Sequence, residues 1–305
     1  MIKILLDTDI GTDVDDAVCL AYLLAQPDCE LLGITTVTGQ ADLRAALASV
    51  LCRQAGVEVP IFPGAEQPLR GIQRQPVAQQ AAVLPRWPHE TRFPENQAIE
   101  FMRRTIRAYP GEVVLLLIGP LTNAGLLFST DPEIPHLLKG LALMGGVFSQ
   151  QPFLEPDRTE WNVSSDIQAT EIVYQAPLRM HHSVGLDITQ QVVMSAEAVR
   201  QRFTAPLLRP VLDFAEVWFG GFYPSITFHD PLTAATLFDD TICSFQPGTV
   251  TVDTSAEPGR IAWQPGPPGS PHAVAVSIDP ERYFEHFFSI FSVPADEMNQ
   301  REGNL

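Results

Sequence analysis

Five aspartates crowd the ten residues Asp7-Thr8-Asp9-Ile10-Gly11-Thr12-Asp13-Val14-Asp15-Asp16. Before them, Ile2–Leu6 reads as a short buried strand, and after them Ala17–Ala25 reads as a helix. The acids therefore fall on a strand-to-helix turn, where open α/β sheets bind their ligands. No Lys or Arg lies between Lys3 and Arg44, so the local sequence offers these carboxylates no partner. Like charges this close raise one another's pKa unless a cation or hydrogen-bond donors intervene. A helix N-terminus supplies about half a positive charge, enough for one acid and not for five. The missing charge is most simply a hard divalent cation held by oxygen ligands.

Strand-like and helix-like runs alternate beyond this turn. Glu30–Thr36, Glu58–Phe62, Val113–Ile118, Leu141–Met144 and Met180–Val184 read as strands, and Ala41–Gln54, Asn123–Phe128 and Asp166–Tyr174 as helices. This alternation predicts an α/β fold with an open, mostly parallel sheet and helices on both faces. Ser195 is placed to cap a helix running to Phe203, and helical patterns follow over Leu207–Phe219 and Pro231–Phe238. Thr249–Asp253 and Arg260–Gln264 resemble a small antiparallel pair, with Ala273–Ile278 a last strand before a helix over Pro280–Phe291. We read residues 1–305 as a single domain, a length that buries a sizeable core.

Composition excludes several classes. A formal net charge of −17 leaves no basic footprint for nucleic acid or an anionic membrane. The chain enters a strand directly, with no basic region leading into a long apolar stretch, and no apolar run reaches the ~18 residues that span a bilayer. Cys19, Cys29, Cys52 and Cys243 show neither metal nor redox spacing. A cytoplasmic protein with reduced cysteines is expected.

Taken singly, the polar signals have plain structural readings. Asp13 or Asp15 would ordinarily cap the helix, Asp7 would bind turn amides, and Asp230 before Pro231 would open a helix. Together they recur at strand ends: Thr36-Val37-Thr38-Gly39-Gln40, Ile118-Gly119-Pro120-Leu121-Thr122-Asn123, Met144-Gly145-Gly146, Glu160-Trp161-Asn162 and His229-Asp230-Pro231. From Ile4 to about Leu232 this ordered set resembles the calcium-dependent nucleoside hydrolases, the inosine-uridine-preferring N-ribohydrolases. The opening is similar to their aspartate-rich signature in a longer form, with two extra residues before the final Asp-Asp-Ala.

The resemblance implies hydrolysis of the N-glycosidic bond of ribonucleosides, with water on Ca2+ as nucleophile and a small-molecule nucleoside as partner. It implies that Asp9 is the base and also touches the metal, and that Asp16, Asp230 and the Ile118 carbonyl complete the protein's metal ligands. Asp15 and Asn162 match residues that grip the ribose hydroxyls, and Glu160 the acid near the 5′-hydroxyl. His229 matches a histidine on the leaving-group side. A homodimer or homotetramer is expected. The chemistry is sound in its own terms: carboxylates stabilise an oxocarbenium-like sugar cation, and histidine suits proton transfer near neutrality.

Three departures from the family pattern bear on the substrate. Gln40 stands where an Asn is usual, which alters the reach of an amide near the metal and ribose; it is retained here as a substrate-binding candidate. A Gly-Asn pair is missing between Gly146 and Glu160, and Gln190 replaces a His after Leu186-Asp187-Ile188-Thr189. The long stretches Pro63–Pro94 and Phe148–Arg158 bring Arg70, Trp87, His89 and Phe153 as candidate base contacts, against the alternative that the aromatics only anchor the loops. Two rival functions remain. A non-catalytic calcium-dependent nucleoside- or ribose-binding protein would keep the pocket without turnover. A haloacid dehalogenase-like phosphatase is suggested by Asp7-Thr8-Asp9-Ile10-Gly11-Thr12, but the late motif is His-Asp-Pro and five carboxylates receive a phosphate ester poorly.

Overall fold

The computed structural model of the protein describes residues 1–155, 158–255 and 260–292. Pro156 and Asp157 of the Phe148–Arg158 stretch, and residues 293–305 at the end of the expected domain, lie outside the described residues. The strands are β1 (Ile2–Thr8), β2 (Cys29–Thr36), β3 (Ile61–Pro63), β4 (Val113–Leu117), β5 (Gly140–Met144) and β6 (His181–Val184). They are followed by β7 (Val193–Ser195), β8 (Ser225–Thr227), β9 (Cys243–Asp253), β10 (Arg260–Pro265) and β11 (His272–Ile278). Nine of these form one sheet in the order β10-β9-β11-β6-β5-β4-β1-β2-β3, while β7 and β8 make a separate antiparallel hairpin.

Pairing from β3 across to β11 is parallel, and β11-β9-β10 is antiparallel. The α/β expectation thus holds, with the C-terminal antiparallel strands joined to the main sheet through β11. Strand order runs outward from β1 through β2 to β3 and, on the other side, from β4 through β5 to β6. The direction reverses between β1 and β4, so a crevice opens beyond their carboxyl ends. Asp9 follows β1 and Ile118 follows β4, placing both at this crevice.

Alternation along the strands fills two cores. Ile4 and Leu6, Val114 and Leu116, and Ala142 and Met144 face one, while Leu5, Leu115 and Leu117, and Leu141 and Leu143 face the other. Strands buried on both faces read as unbroken apolar runs, which is why β4 is Val-Val-Leu-Leu-Leu. The helix Asp15–Ala25 is buried from Asp15 to Leu23, because helices Leu208–Gly220, His229–Ala235 and Pro280–Ile290 cover the side away from the sheet.

A helix at Ala98–Ala108 forms where the sequence reading assigned none. Its buried residues Ala98, Met102 and Ile106 make a narrow stripe among Arg and Glu, which a short window reads as polar. The 63–94 stretch contains a 3₁₀ segment, Gln79–Arg86, and otherwise wraps the surface as a loop. The four cysteines are free, and among the described residues no helix is long and apolar enough to cross a membrane.

Candidate active site

The aspartate-rich turn is held by short-range hydrogen bonds and one buried cation. Thr8 Oγ1 donates to Asp16 Oδ1 at 2.5 Å, the Asp9 amide donates to the same oxygen at 3.1 Å, and the Ile10 amide donates to Thr8 Oγ1 at 3.1 Å. Neither Asp13 nor Asp15 caps the following helix, whose N-cap is Val14 with no side-chain acceptor. Asp7 is a tie rather than a ligand: its Oδ1 accepts from Thr35 Oγ1 at 2.5 Å and Asn123 Nδ2 at 2.8 Å, joining β1 to β2 and to helix Thr122–Thr130.

Arg44, which bounds the base-free stretch of sequence, returns through space to sit under the turn, fully buried. Its guanidinium donates to the carbonyls of Asp9, Ile10 (3.2 Å) and Gly39 (2.8 Å), and to Thr12 Oγ1 at 3.2 Å. It thus fixes the backbone of the turn and reaches the carboxylates by charge. Val37–Gln40, over which it packs, is strained: Thr38 and Gln40 both adopt left-handed φ, 72° and 60°. Such outliers, above all at a β-branched residue, gather where a site over-determines the backbone.

Asp15, Asp16 and Asp230 meet although 215 residues separate the first from the last, with the Asp230 amide donating to Asp15 Oδ2 at 3.1 Å. One carboxylate oxygen from each lies within 4.8 Å of the others. Burial raises the pKa of all three well above the usual carboxylate value, and repulsion from the neighbouring aspartates, Asp9 and Asp13 among them, raises it further. Asp9 is pushed up to about 6 by burial, offset by the Arg44 charge and by the polar Gln75 side chain in the same cavity. A buried group of hard anionic oxygens in mutual repulsion fits a divalent cation such as Ca2+.

Ile118 lines the same cavity, and its carbonyl accepts from Asn162 Nδ2 at 3.1 Å, an amide that also donates to the Met144 carbonyl at 3.1 Å. Glu160 caps the short helix Trp161–Ser165, accepting from the amides of Asn162, Val163 and Gly146 at 2.7, 2.9 and 3.1 Å. Burial nevertheless lifts its carboxyl to about 7. His229 Nδ1 lies 2.6 Å from Thr189 Oγ1, and burial, with the Arg158 charge, lowers the imidazole to about 4. The resting ring is therefore neutral at pH 7.

These groups line a cavity of about 390 Å3, large enough for a small ligand. Of the residues singled out from sequence, Asp9, Asp15, Asp16, Ile118, Glu160, Asn162, His229 and Asp230 all border it, as does Gln190. Gln40 does not: its Oε1 turns to the Ala78 amide at 2.8 Å. Trp87 lies at a separate cleft of about 820 Å3 and binds Asp213 through its indole at 3.0 Å, so it anchors its loop. Arg70, His89 and Phe153 also stay outside the 390 Å3 cavity.

Sequence reasoning missed Gln75, Arg158, Trp218 and Tyr223, which do line it. Trp218 and Tyr223 stack with centroids 3.7 Å apart at 8°. No spacing marks Gln75 or Arg158, both in irregular segments. Trp218 falls in the helical run predicted over Leu207–Phe219 and Tyr223 just beyond it, but nothing in that pattern separates cavity from core.

Against known proteins, the chain is 30% identical over 307 residues to probable uridine nucleosidase 1 of Oryza sativa subsp. japonica, covering 91% of this chain and 92% of that one. It is 28% identical to uridine nucleosidase 1 of Arabidopsis thaliana, covering 93% and 91%. In fold it is similar to the purine-preferring ribonucleoside hydrolase from Gardnerella vaginalis, with a TM-score of 0.79 at 23% identity over 95% of this chain and 98% of that one. The family profile for the inosine-uridine preferring nucleoside hydrolases matches residues 4–285. With that match and the acid cluster in place, the chain belongs to the inosine-uridine preferring nucleoside hydrolases, enzymes that cleave the glycosidic bond of nucleosides.

Proposed function

We propose that the protein hydrolyses ribonucleosides to free base and ribose in the 390 Å3 cavity, with Ca2+ as its resident metal. The observation that carries this reading is the convergence of Asp15, Asp16 and Asp230 within one buried cavity that also holds His229. Asp9, Asp16, Asp230 and the Ile118 carbonyl would hold the ion, with Asp15 beside it. Bound there, Ca2+ supplies Lewis acidity toward water and a template for a vicinal diol.

The chain's own groups account for the remaining work. Asp9 accepts the proton of the attacking water; its carboxyl, shifted toward neutrality, is suited to that exchange. Asp15 and Asn162 orient the ribose hydroxyls, and Glu160 takes the 5′ end. The carboxylates around the sugar stabilise the positive charge that develops as the bond breaks. His229, oriented by Thr189 at its Nδ1 and neutral at rest, offers its other ring nitrogen as a hydrogen-bond donor to the departing base and takes up a proton only as that base leaves. The stacked Trp218 and Tyr223 offer an aromatic surface for that base.

A panel of purine and pyrimidine ribonucleosides, assayed for release of both base and reducing sugar, tests the reading. Equimolar base and ribose from at least one nucleoside is the expected result. Saturable binding without ribose release would replace it with the calcium-dependent binding protein.

A further inference from the structure

The 390 Å3 cavity adjoins a smaller one of about 140 Å3, whose lining includes Gln150, Arg158, Thr159, Glu160 and Arg260. Arg158 and Glu160 line both, so the two spaces meet at the Glu160 end. Arg260 opens β10, the edge strand of the sheet, which the sequence pattern marks only as half of a small antiparallel pair. The glycine turn after β5 lets that strand come close: Gly146 has φ 90°, and a Cβ there would collide with Ile261 Cδ1. The far end of the chain thereby brings an arginine to the rim of the active site.

The smaller cavity differs in charge from the aspartate turn. Glu160 is the only acid among the described residues that line it, and backbone amides already occupy both its oxygens. Against it stand two guanidiniums, in a chain whose formal net charge is −17. Arg158 makes no ion pair among the described residues. A guanidinium carries more N–H donors than one partner can take, so Arg260, which has a partner of its own, keeps donors for a second. Two such forks beside an amide and a hydroxyl suit a phosphate, whose oxygens accept bidentately from arginine. The volume of about 140 Å3 admits such a group, since one water occupies about 30 Å3 in the liquid.

We propose that the smaller cavity receives a phosphate carried on the 5′ carbon of the sugar, so that the substrate is a ribonucleoside 5′-monophosphate and Arg158 and Arg260 select it. This rests on the function proposed above, which sets the 5′ end at Glu160. The phosphate ester takes no part in the reaction. Water adds across the bond between C1′ and the base nitrogen, the base leaves with a proton, and ribose 5-phosphate remains. The phosphate stands at the arginine end of the site, away from the carboxylates that would hold the metal. The competing account is that Arg158 serves the base, because it also borders the cavity that holds His229.

Binding is measured on Ca2+-loaded wild type, Arg158→Gln and Arg260→Gln with ribose, ribose 5-phosphate and inorganic phosphate as probes. Wild type should bind ribose 5-phosphate about 10- to 100-fold more tightly than ribose, the span expected of hydrogen bonds to a charged group, and more tightly than inorganic phosphate. Each substitution should reduce that preference roughly 10-fold. Initial rates then compare a nucleoside with its own 5′-monophosphate. The ratio of their kcat/KM values should favour the monophosphate in wild type and fall roughly 10-fold in each variant. Ribose 5-phosphate bound no more tightly than ribose, or a preference that survives both substitutions, would overturn the inference. Equal losses on nucleoside and monophosphate would also overturn it and assign Arg158 to the base. Nucleosides cleaved without any preference for ribose 5-phosphate would remove the phosphate site and leave the hydrolase. A preference for ribose 5-phosphate with neither substrate cleaved would uphold the site and remove the hydrolase.

Discussion

Replacing Arg44 with Met removes the cation beneath the aspartate turn while keeping most of its aliphatic volume, so the loss is polar. The carbonyls of Asp9, Ile10 and Gly39 lose their guanidinium donor at a position fully shielded from solvent. Each stranded buried acceptor costs about 1–3 kcal/mol, and removing one side of a buried charge arrangement about 3–5 kcal/mol. These describe overlapping losses, and the desolvation that holds the Arg44 pKa down is relieved in return. A net destabilisation of about 3–5 kcal/mol is expected, a large part of the 5–15 kcal/mol typical of a domain. Urea unfolding of wild type and variant, each with chelator and with excess Ca2+, measures it. The difference should be larger in chelator, because Ca2+ relieves the same carboxylate repulsion that Arg44 relieves. A loss below about 1 kcal/mol would refute the account of the turn, placing Arg44 among ordinary surface substitutions. A loss indifferent to Ca2+ would refute its electrostatic part.

Asp9→Asn should leave the melting temperature near that of wild type and lower kcat by at least the 10²–10⁴-fold typical of a general base; near wild-type kcat would move the role to another acid, Asp15 first. His229→Ala should slow natural nucleosides strongly and nitrophenyl riboside weakly, since the latter leaves without a proton; equal slowing would make His229 a positioning group for Asp230. His181 is buried with neither ring nitrogen bonded, and burial with the nearby His272 and His182 holds its pKa well below 6.5. Below pH 6.5 the unfolded chain binds a proton there that the folded chain does not, so stability falls as pH drops, by up to about 1.4 kcal/mol per pH unit. His181→Phe keeps the stack on Tyr174 and should flatten that slope between pH 6.5 and 5 in denaturant titrations; an unchanged slope would exclude His181 as its source.

The parts of this site written in local sequence were legible there. Apolar runs such as Val113–Leu117 report strands buried on both faces, and the polar clusters after them mark the sheet's carboxyl edge. Asp9, Asp15 and Asp16 announce a site by density alone, and Asp230 enters through its place in an ordered set of motifs. What stayed hidden acts through space. Arg44 lies on the helix Ala41–Ala55 and reads as an ordinary helix cation until the fold turns it under the acids. Gln75 comes from a loop with no period, where five glutamines between Gln67 and Gln80 look alike. Gln40 has the right place in sequence, but a longer side chain on a left-handed residue finds the Ala78 amide instead of the cavity. Trp218, near the end of the helix Leu208–Gly220, and Tyr223, just past it, are set apart from the core aromatics only by where that helix ends.

The central claim is that a cation held by the Asp9, Asp16 and Asp230 carboxylates is required for ribose release. Initial rates of ribose formation should be measured on protein stripped with chelator, on the same sample with Ca2+ restored, and on Asp230→Asn with Ca2+. The account predicts loss of activity on stripping, recovery with Ca2+, and little activity in the variant at any Ca2+ concentration that restores the wild type. Undiminished ribose release from stripped protein, or a fully active Asp230→Asn variant, would contradict it.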